Sequence, residues 1–300
     1  MLAALYRKVV PSDIRAFIYR VFLGDFLAMI RNPKLWIKYR WYGLYYSIVT
    51  PKTEKEQAYK AWNRAGFCSI PYPYLWKEEY DQLLIDVHID AENSLPFVMH
   101  HGKRLYFRRD MINNVSDIYK ALLIEQDERS AHCYVDSYSE LKNKVLLDIG
   151  AAEAIFALDT IEYVNHAYLF ECDEKWLEAL SATFAPWKDK ITIVRKYVSD
   201  INDEDNVTLD TLFADKSIEN LFLKMDIEGY ERRALEGAKK LLQKGKNISG
   251  AVCIYHLHDD KEVIQSLLND VMDVTVSIKP GYIIFENELR SAVLRFSCNN

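Results

Sequence analysis

Five apolar stretches in the second half of the chain end on or close to polar side chains that can do chemistry. The residues at these ends are Asp148, Glu171, Ser199 with Asp200, Asp226 with Glu228, and His256. Carboxylates and imidazoles can attract a cation, accept hydrogen bonds from hydroxyl groups or remove a proton near neutral pH. The pattern therefore predicts a site for a small polar ligand and a reaction that includes proton transfer.

The elements that must position these residues are alternating strands and helices. The predicted strands are Val145–Asp148, Ala167–Glu171, Ile191–Val194, Leu221–Asp226 and Ala251–His256, and the predicted helices between most of them are Glu153–Glu162, Asp173–Phe184, Glu228–Gln243 and Asp259–Asn269. Two final strands are expected at Asp273–Ile278 and Ala292–Ser297, with Tyr282–Phe285 competing for one of these places. Continuous apolar strands separated by helices indicate an α/β fold with a parallel sheet, and ligands bind such sheets beyond the carboxyl ends of the strands.

The turn after the first strand favours a cofactor without a phosphate group. Gly150 permits a tight turn with room for a ligand, and Glu171 follows at the distance where an acid can accept both ribose hydroxyls of an adenosine. A GxGxxG motif for a pyrophosphate is missing, and Glu153 would repel one. The cationic cofactor S-adenosylmethionine tolerates this turn. We expect it to contact Asp148, Gly150, Ala152, Glu171, Ser199, Asp200 and Asp226.

The stretch from Val145 to about Leu268 resembles the FkbM family of methyltransferases. The resemblance is carried by Val145–Ala154, Phe170-Glu171, Thr208–Leu212, Leu223–Gly229 with Glu231, and Leu235–Ala238, of which Leu223–Gly229 is the most specific. It implies a class I, Rossmann-like methyltransferase fold with a seven-stranded sheet. It also implies S-adenosylmethionine as the methyl donor and O-methylation of a hydroxyl on a sugar or natural product. The chain departs from the family at Ala154, where glycine is common, so we expect the extra methyl group to crowd the methionine end of the cofactor.

Three residues are the candidates for catalysis. Asp226 is expected beside the transferred methyl group, as a general base or as an electrostatic guide for the acceptor. His256 has the right ordinary pKa to take a hydroxyl proton, and a histidine that is merely hydrogen-bonded at a strand end is the equal alternative. Glu228 either takes part in the site or caps the helix that follows it.

Two further clusters carry weaker signals. The run His256–Asp260 contains two histidines and two acids, but nothing fixes a third and fourth metal ligand at a known spacing, so no metal is predicted. The run Glu125–His132 precedes the first strand, where it either folds over the cofactor or forms a solvated helix end.

The chain is expected to divide into a mainly helical region, 1–135, and a methyltransferase domain, 136–300. The first region contains predicted helices after Ser12, at Thr53–Arg64 and at Ser116–Gln126, and a β-hairpin formed by Phe97–His100 and Lys103–Phe107. Residues 1–50 hold eight Lys and Arg against two Asp, which gives this segment a charge of +6. Because the whole chain has a net charge of −6, residues 51–300 carry −12. This basic aromatic segment is expected to pack on the catalytic domain or on a second copy; the alternative is peripheral contact with an anionic membrane.

Composition narrows the class of protein further. The five cysteines are scattered and no CxxC pair occurs, which fits a reducing cytoplasm, with the inner face of the membrane as the alternative location. We find neither a signal peptide nor an apolar run long enough to span a bilayer. The acidic body argues against nucleic acid, so the expected partner is a small-molecule or glycan acceptor. Two other classes stay open: a catalytically silent methyltransferase-like module and a nicotinamide-dependent oxidoreductase.

Overall fold

The computed structural model describes residues 29–30, 33–65, 75–216, 219–285 and 288–298. The helix predicted after Ser12 lies outside these residues. The helices are α1 Pro33–Ile48, α2 Glu54–Ala65, α3 Glu78–Asp81, α4 Val115–Glu125, α5 Ile155–Thr160, α6 Glu174–Thr183, α7 Leu209–Leu212, α8 Glu231–Glu236, α9 Lys239–Lys244 and α10 Asp260–Val271. None of the described helices is long and apolar enough to cross a membrane.

Fourteen strands accompany these helices in the described part of the chain. They are β1 His88–Ile89, β2 Pro96–His100, β3 Lys103–Tyr106, β4 Val145–Ile149, β5 His166–Phe170, β6 Ile191–Val194, β7 Tyr197–Val198, β8 Asn206–Val207, β9 Leu221–Met225, β10 Ile248–Cys253, β11 Val274–Ile278, β12 Ile283–Phe285, β13 Glu288–Arg290 and β14 Val293–Cys298. Seven of them form one sheet in the order β11-β14-β10-β9-β4-β5-β6. The predicted α/β fold and its seven-stranded sheet are confirmed.

The sheet is parallel at its centre and antiparallel at one end. β6, β5, β4, β9 and β10 run parallel, whereas β14 pairs antiparallel with both β10 and β11. Because side chains alternate along a strand, Leu146 of β4 packs into the core that α5 and α6 cover, and its neighbour Leu147 packs into the core that α8 and α10 cover. The continuous apolar strands are thus explained by burial on both faces.

The hairpin expected around His101-Gly102 is present as β2 and β3. Both turn residues have positive φ angles, of 48° and 79°, as a two-residue hairpin turn requires. The hairpin packs on the second half of the chain, where the Tyr106 amide donates to the Thr183 hydroxyl of α6 at 3.0 Å. His100 Nε2 lies 2.8 Å from the Asp159 carboxylate of α5.

One predicted helix was wrong in its extent. The stretch Glu228–Gln243 forms two short helices, α8 and α9, because Gly237 interrupts them and Glu228 and Gly229 have positive φ angles. A side chain at Gly237 would overlap the carbonyl oxygen of Ser199, which arrives from a distant loop. The two final strands are confirmed as β11 and β14, while Ile283–Phe285 pairs with β13 outside the main sheet.

Substituting Gly237 with alanine should destabilise the fold by about 2–3 kcal/mol, because backbone at the Ser199 carbonyl cannot move aside as a flexible side chain can. Gly245→Ala is the matched control, since its added methyl group would overlap only the flexible end of the Ile248 side chain and would meet backbone, the Leu241 carbonyl oxygen, no closer than 3.3 Å. The measurement is urea unfolding of both variants. Equal stability losses would contradict the steric role of Gly237.

Candidate functional site

The turn between β4 and α5 is held in a strained, closely fitted conformation. Gly150 has a φ of 82°, and a side chain there would overlap the carbonyl oxygen of Asp226 at the end of β9. Ala152 and Ala154 have left-handed φ angles of 46° and 58°, which cost about 1–2 kcal/mol each in a residue with a Cβ. Glu171 supports the turn, because its Oε2 accepts the Ala152 amide hydrogen at 2.9 Å.

Glu171 also ties the turn to the next helix. Its second oxygen, Oε1, accepts the amide hydrogen of Asp173 at 2.8 Å, directly before α6. Each carboxylate oxygen has two lone pairs, so both can accept one further hydrogen bond. Glu171 is half-buried at the end of β5. Its carboxylate can therefore still accept a hydrogen bond from a ligand hydroxyl.

A cavity of about 170 Å³ opens between this turn, the end of β9 and helix α4. It is lined by Leu122, Glu125, Gln126, Tyr134, Asp148, Gly150, Ala151, Ala152, Glu153, Ala154, Ile155, Phe156, Lys224 and Asp226. Four of the seven predicted cofactor contacts lie on it, namely Asp148, Gly150, Ala152 and Asp226. A fifth, Glu171, touches it through the Ala152 amide group.

A buried lysine stands at the base of this cavity. The Lys224 Nζ lies 3.0 Å from Asp148 Oδ1 and donates to the Gly150 carbonyl oxygen at 2.6 Å. Burial alone would lower the pKa of Lys224, but Asp148 and Asp226 raise it above its usual range, so the side chain is a cation. The other oxygen of Asp148, Oδ2, has no hydrogen-bond partner among the residues that the structure describes.

Asp226 is the point on which four polar side chains converge. Its Oδ2 accepts from the Tyr134 hydroxyl at 3.0 Å, and its Oδ1 accepts from the Tyr255 hydroxyl at 3.4 Å. The Nε2 atoms of His132 and His256 each lie 3.7 Å from the same carboxylate. Burial alone would raise the pKa of Asp226, but the imidazoles, Lys224 and the Tyr134 hydrogen bond lower it below its usual range. The carboxylate is therefore ionised.

His256 lies among three carboxylates. Its Nδ1 is 2.9 Å from the fully buried Glu231, and its Nε2 is 3.6 Å from Glu228 and 3.7 Å from Asp226. Burial alone would lower the pKa of His256, but the contact with Glu231 and the two other acids raise it above its usual range. The geometry thus favours the imidazolium form. The Glu228 side chain itself is 85% exposed.

Two acids on the cavity wall have pKa values that their surroundings raise towards or above neutrality. Burial raises the pKa of Glu125 at the end of α4 to about 8, and the negative charge of Asp226 acts in the same direction. Burial raises the pKa of Glu153 in the turn to about 7. A bound cation would favour the charged form of both side chains.

Two predicted cofactor contacts do not line this cavity. The Ser199 hydroxyl donates to Asp200 Oδ1 at 3.1 Å, and Asp200 forms an ion pair with Arg233 at 2.7 Å. Both residues follow β7, and their contact with a ligand stays a prediction.

The sequence reasoning gave no role to several residues of the site. These are Tyr134, Glu231, Tyr255 and Lys224, whereas His132 and Glu125 were covered by the interpretation that the run Glu125–His132 folds over the cofactor. A lysine inside an otherwise apolar strand was the usable signal, since a buried charge requires a partner. For the two tyrosines no comparable signal exists, because apolar surroundings explain an aromatic residue equally well.

Three groups of side chains bring potential metal-ligating atoms within 4.8 Å of one another in the described residues. The groups are His100, His101 and Asp159; His132, Asp226 and Cys253; and Asp226, Glu231 and His256. The first is connected by hydrogen bonds, since both His100 nitrogens and both Asp159 oxygens contact polar atoms at 2.8 Å. The other two share Asp226. That the protein uses no metal stays a prediction.

Comparison with known proteins places the chain among methyltransferases. A family model described as the methyltransferase FkbM domain matches residues 103–275, more than half of the chain. The solved structures that resemble it include a methyltransferase FkbM from Methylobacillus flagellatus KT, with 20% identity, 63% of this chain and 54% of that chain covered, and a TM-score of 0.42. The chain thus spans about half the length of that structure. No curated protein matches.

Two other solved structures resemble the chain at lower identity. A SAM-dependent O-methyltransferase from Thermotoga maritima has 14% identity, with 53% of this chain and 60% of that chain covered and a TM-score of 0.34. A precorrin-6y C5,15-methyltransferase from Geobacter metallireducens has 13% identity, with 53% and 83% covered and a TM-score of 0.36. The seven-stranded sheet together with the family match confirms the predicted class I, Rossmann-like methyltransferase fold.

The raised pKa of Glu125 predicts a change of stability with pH. The folded protein keeps a proton on Glu125 up to about pH 8, whereas the unfolded chain loses it near its ordinary value of 4.5. This contribution to stability is therefore complete at low pH and is lost as the pH rises towards 8. The Glu125→Gln variant lacks this pH-dependent contribution. The free energy of unfolding of the variant, relative to that of the wild type, should therefore increase from about pH 5.5 to about pH 8.5.

Urea unfolding across this range measures the difference. Glu128→Gln is the matched control, since Glu128 is three residues away and exposed, and its profile should run parallel to the wild type. If Glu125→Gln also ran parallel, Glu125 would be charged in the folded protein, and the cavity would be more acidic than inferred.

Proposed function

We propose that this chain, which belongs to the FkbM methyltransferase family, transfers the methyl group of S-adenosylmethionine to a hydroxyl oxygen. The acceptor that we propose is a saccharide or another small metabolite. The observation that carries the proposal is an ionised Asp226, held by two tyrosine hydroxyls at the edge of a cavity lined with acids. This carboxylate lies beyond the ends of β4 and β9, where ligands bind in such sheets.

The residues that line the cavity of about 170 Å³ between the turn after β4, the end of β9 and α4, called the first cavity below, fit the chemistry of the proposed cofactor. Four acids, Asp148, Glu125, Glu153 and Asp226, line it together with one lysine, so a sulfonium cation is favoured and a pyrophosphate is disfavoured. The unpartnered Asp148 Oδ2 is available to a polar ligand group. A volume of about 170 Å³ is below that of sites for whole ligands, so we propose that it takes only the methionine end.

The adenosine end is assigned to the outer side of the turn. We propose that Glu171 accepts the ribose hydroxyls, with Ser199 and Asp200 farther along the same edge. The Cβ of Ala154 lies on the wall of the cavity, where the resemblance places glycine, and so narrows the space for the methionine end.

S-adenosylmethionine supplies an electrophilic methyl group, and the protein has to align the acceptor and take up its proton. In the transfer a bond forms between the acceptor oxygen and the methyl carbon, the carbon–sulfur bond breaks, and the hydroxyl proton leaves. We propose that Asp226 receives this proton. We propose that His256 and Tyr255 hold the Asp226 carboxylate in position. His256 does so as an imidazolium that lies between Glu231 and Asp226. Glu228, exposed beside His256, is proposed to face the acceptor.

The experiment that tests the proposed function follows the methyl group itself. The protein is incubated with S-adenosylmethionine labelled in its methyl group and with a metabolite extract of the parent organism, and the labelled product is identified. A labelled methyl ether supports the proposal. Cofactor binding in calorimetry without any labelled product would favour the silent module, and binding of NADH in place of S-adenosylmethionine would favour the oxidoreductase.

Glu171→Ala should weaken the binding of S-adenosylmethionine by about 1.5–3 kcal/mol, roughly 10- to 100-fold, because a charged acceptor for the ribose hydroxyls is lost. Isothermal titration calorimetry measures the affinity. Glu174→Ala is the matched control, because Glu174 lies one turn away with a side chain that is 78% exposed. Unchanged affinity in a folded Glu171→Ala protein would remove Glu171 from the cofactor site.

Asp226→Asn keeps the shape of the side chain and removes the proton acceptor. We expect kcat to fall by about 10²- to 10⁴-fold, with a much smaller change in cofactor affinity, because the residue acts on the reacting atoms. The exposed Asp189→Asn serves as the control. If kcat stayed within about twofold of the wild type, Asp226 would have a structural role only.

A further inference from the structure

A second cavity, of about 420 Å³, lies between the two N-terminal helices and the end of β10. Its charged lining consists of Lys38 of α1, Lys55 of α2, Lys261 and Glu262 of α10, and Glu288 and Arg290 of β13. Four cations against two acids give the lining a charge of +2, with His258 neutral, whereas the chain as a whole carries −6. A concave surface with a charge opposite to that of the molecule concentrates ligands of the other sign.

Two of these cations are without an ion-pair partner within the described ranges of the chain. Lys55 and Lys261 form no ion pair with any residue in the part of the chain that the structure describes, although they come from different helices and line the same cavity. Like charges that line one concave site repel each other unless an anion lies between them. The volume is within the usual range for a small-molecule site.

The wall of this cavity is continuous with the proposed reaction centre. Arg290 Nη1 donates to the carbonyl oxygens of Tyr255 and His256, both at 2.8 Å. The Tyr255 hydroxyl in turn donates to Asp226. Ile254, which precedes Tyr255, lines the second cavity, so one short segment has the basic cavity on one side and the ionised Asp226 on the other.

We infer that the second cavity binds an anionic group of the methyl acceptor, a phosphate or a carboxylate, and so selects charged acceptors. This inference rests on the proposed function, because the acceptor hydroxyl has to reach Asp226 from this side. The charged residues that line the first cavity are mainly acids and those that line the second are mainly cations, so the cationic cofactor and the anionic acceptor are sorted by charge.

The test uses the full chain and the double variant Lys55→Gln/Lys261→Gln. Calorimetry measures the binding of inorganic phosphate, of glucose 1-phosphate and of neutral glucose. We expect the wild type to bind both phosphates and not glucose, and the double variant to bind them about tenfold or more weakly, with the difference reduced by added salt. The matched control is Lys240→Gln/Lys244→Gln, which removes the same charge from the exposed side of α9.

The outcomes separate this inference from the proposed function. Equal phosphate binding by the wild type and the Lys55/Lys261 variant, or an equal loss in both double variants, would overturn the anion site. S-adenosylmethionine binding is measured in parallel and should be the same in all three proteins. A wild type that binds S-adenosylmethionine but no phosphate overturns the inference alone. A wild type that binds phosphate but not S-adenosylmethionine supports the anion site and overturns the proposed function.

Discussion

The site depends on one buried charge, the ammonium group of Lys224 in the central strand β9. A cation in the interior is costly unless it is neutralised and hydrogen-bonded, and Lys224 is satisfied by Asp148 of β4 and by the Gly150 carbonyl. These contacts fix the end of one strand against the turn that leaves the other. Gly150 then fits directly against the backbone of Asp226. The same lysine therefore determines the shape of the cavity and the place of the ionised carboxylate.

Charge is distributed unevenly around this centre, and the distribution follows the elements that supply it. The acids of the first cavity come from α4, from the turn after β4 and from β9, while the cations of the second come from α1, α2, α10 and β13. Ile254 lines the second cavity, and the hydroxyl of the adjacent Tyr255 donates to Asp226 on the wall of the first. An acidic pocket for a cation and a basic one for an anion, on either side of one carboxylate, suit a reaction between a sulfonium donor and a charged acceptor.

The order of the strands and their polar ends could be predicted from the sequence, because burial on both faces imposes a continuous apolar pattern. The need for glycine at position 237 could not, since a side chain there would overlap the Ser199 carbonyl, 38 positions earlier in the chain. The contacts of Asp226 with Tyr134 and Tyr255 were also beyond prediction. Such contacts depend on how the loops that follow separate strands fold over one edge of the sheet. The pattern of apolar residues in the sequence does not predict how these loops fold.

Asp226 is flanked by two imidazoles whose pKa values the protein shifts in opposite directions. Burial beside Cys253 lowers the pKa of His132, whereas Glu231 and its neighbouring acids raise the pKa of His256. With His132 neutral, the charges of Lys224 and His256 keep the carboxylate ionised and in place. If both rings were charged, they would stabilise the carboxylate too strongly for it to take a proton. If both were neutral, burial would favour its protonated form. The opposite shifts of the two imidazoles therefore suit the role of proton acceptor that we propose for Asp226.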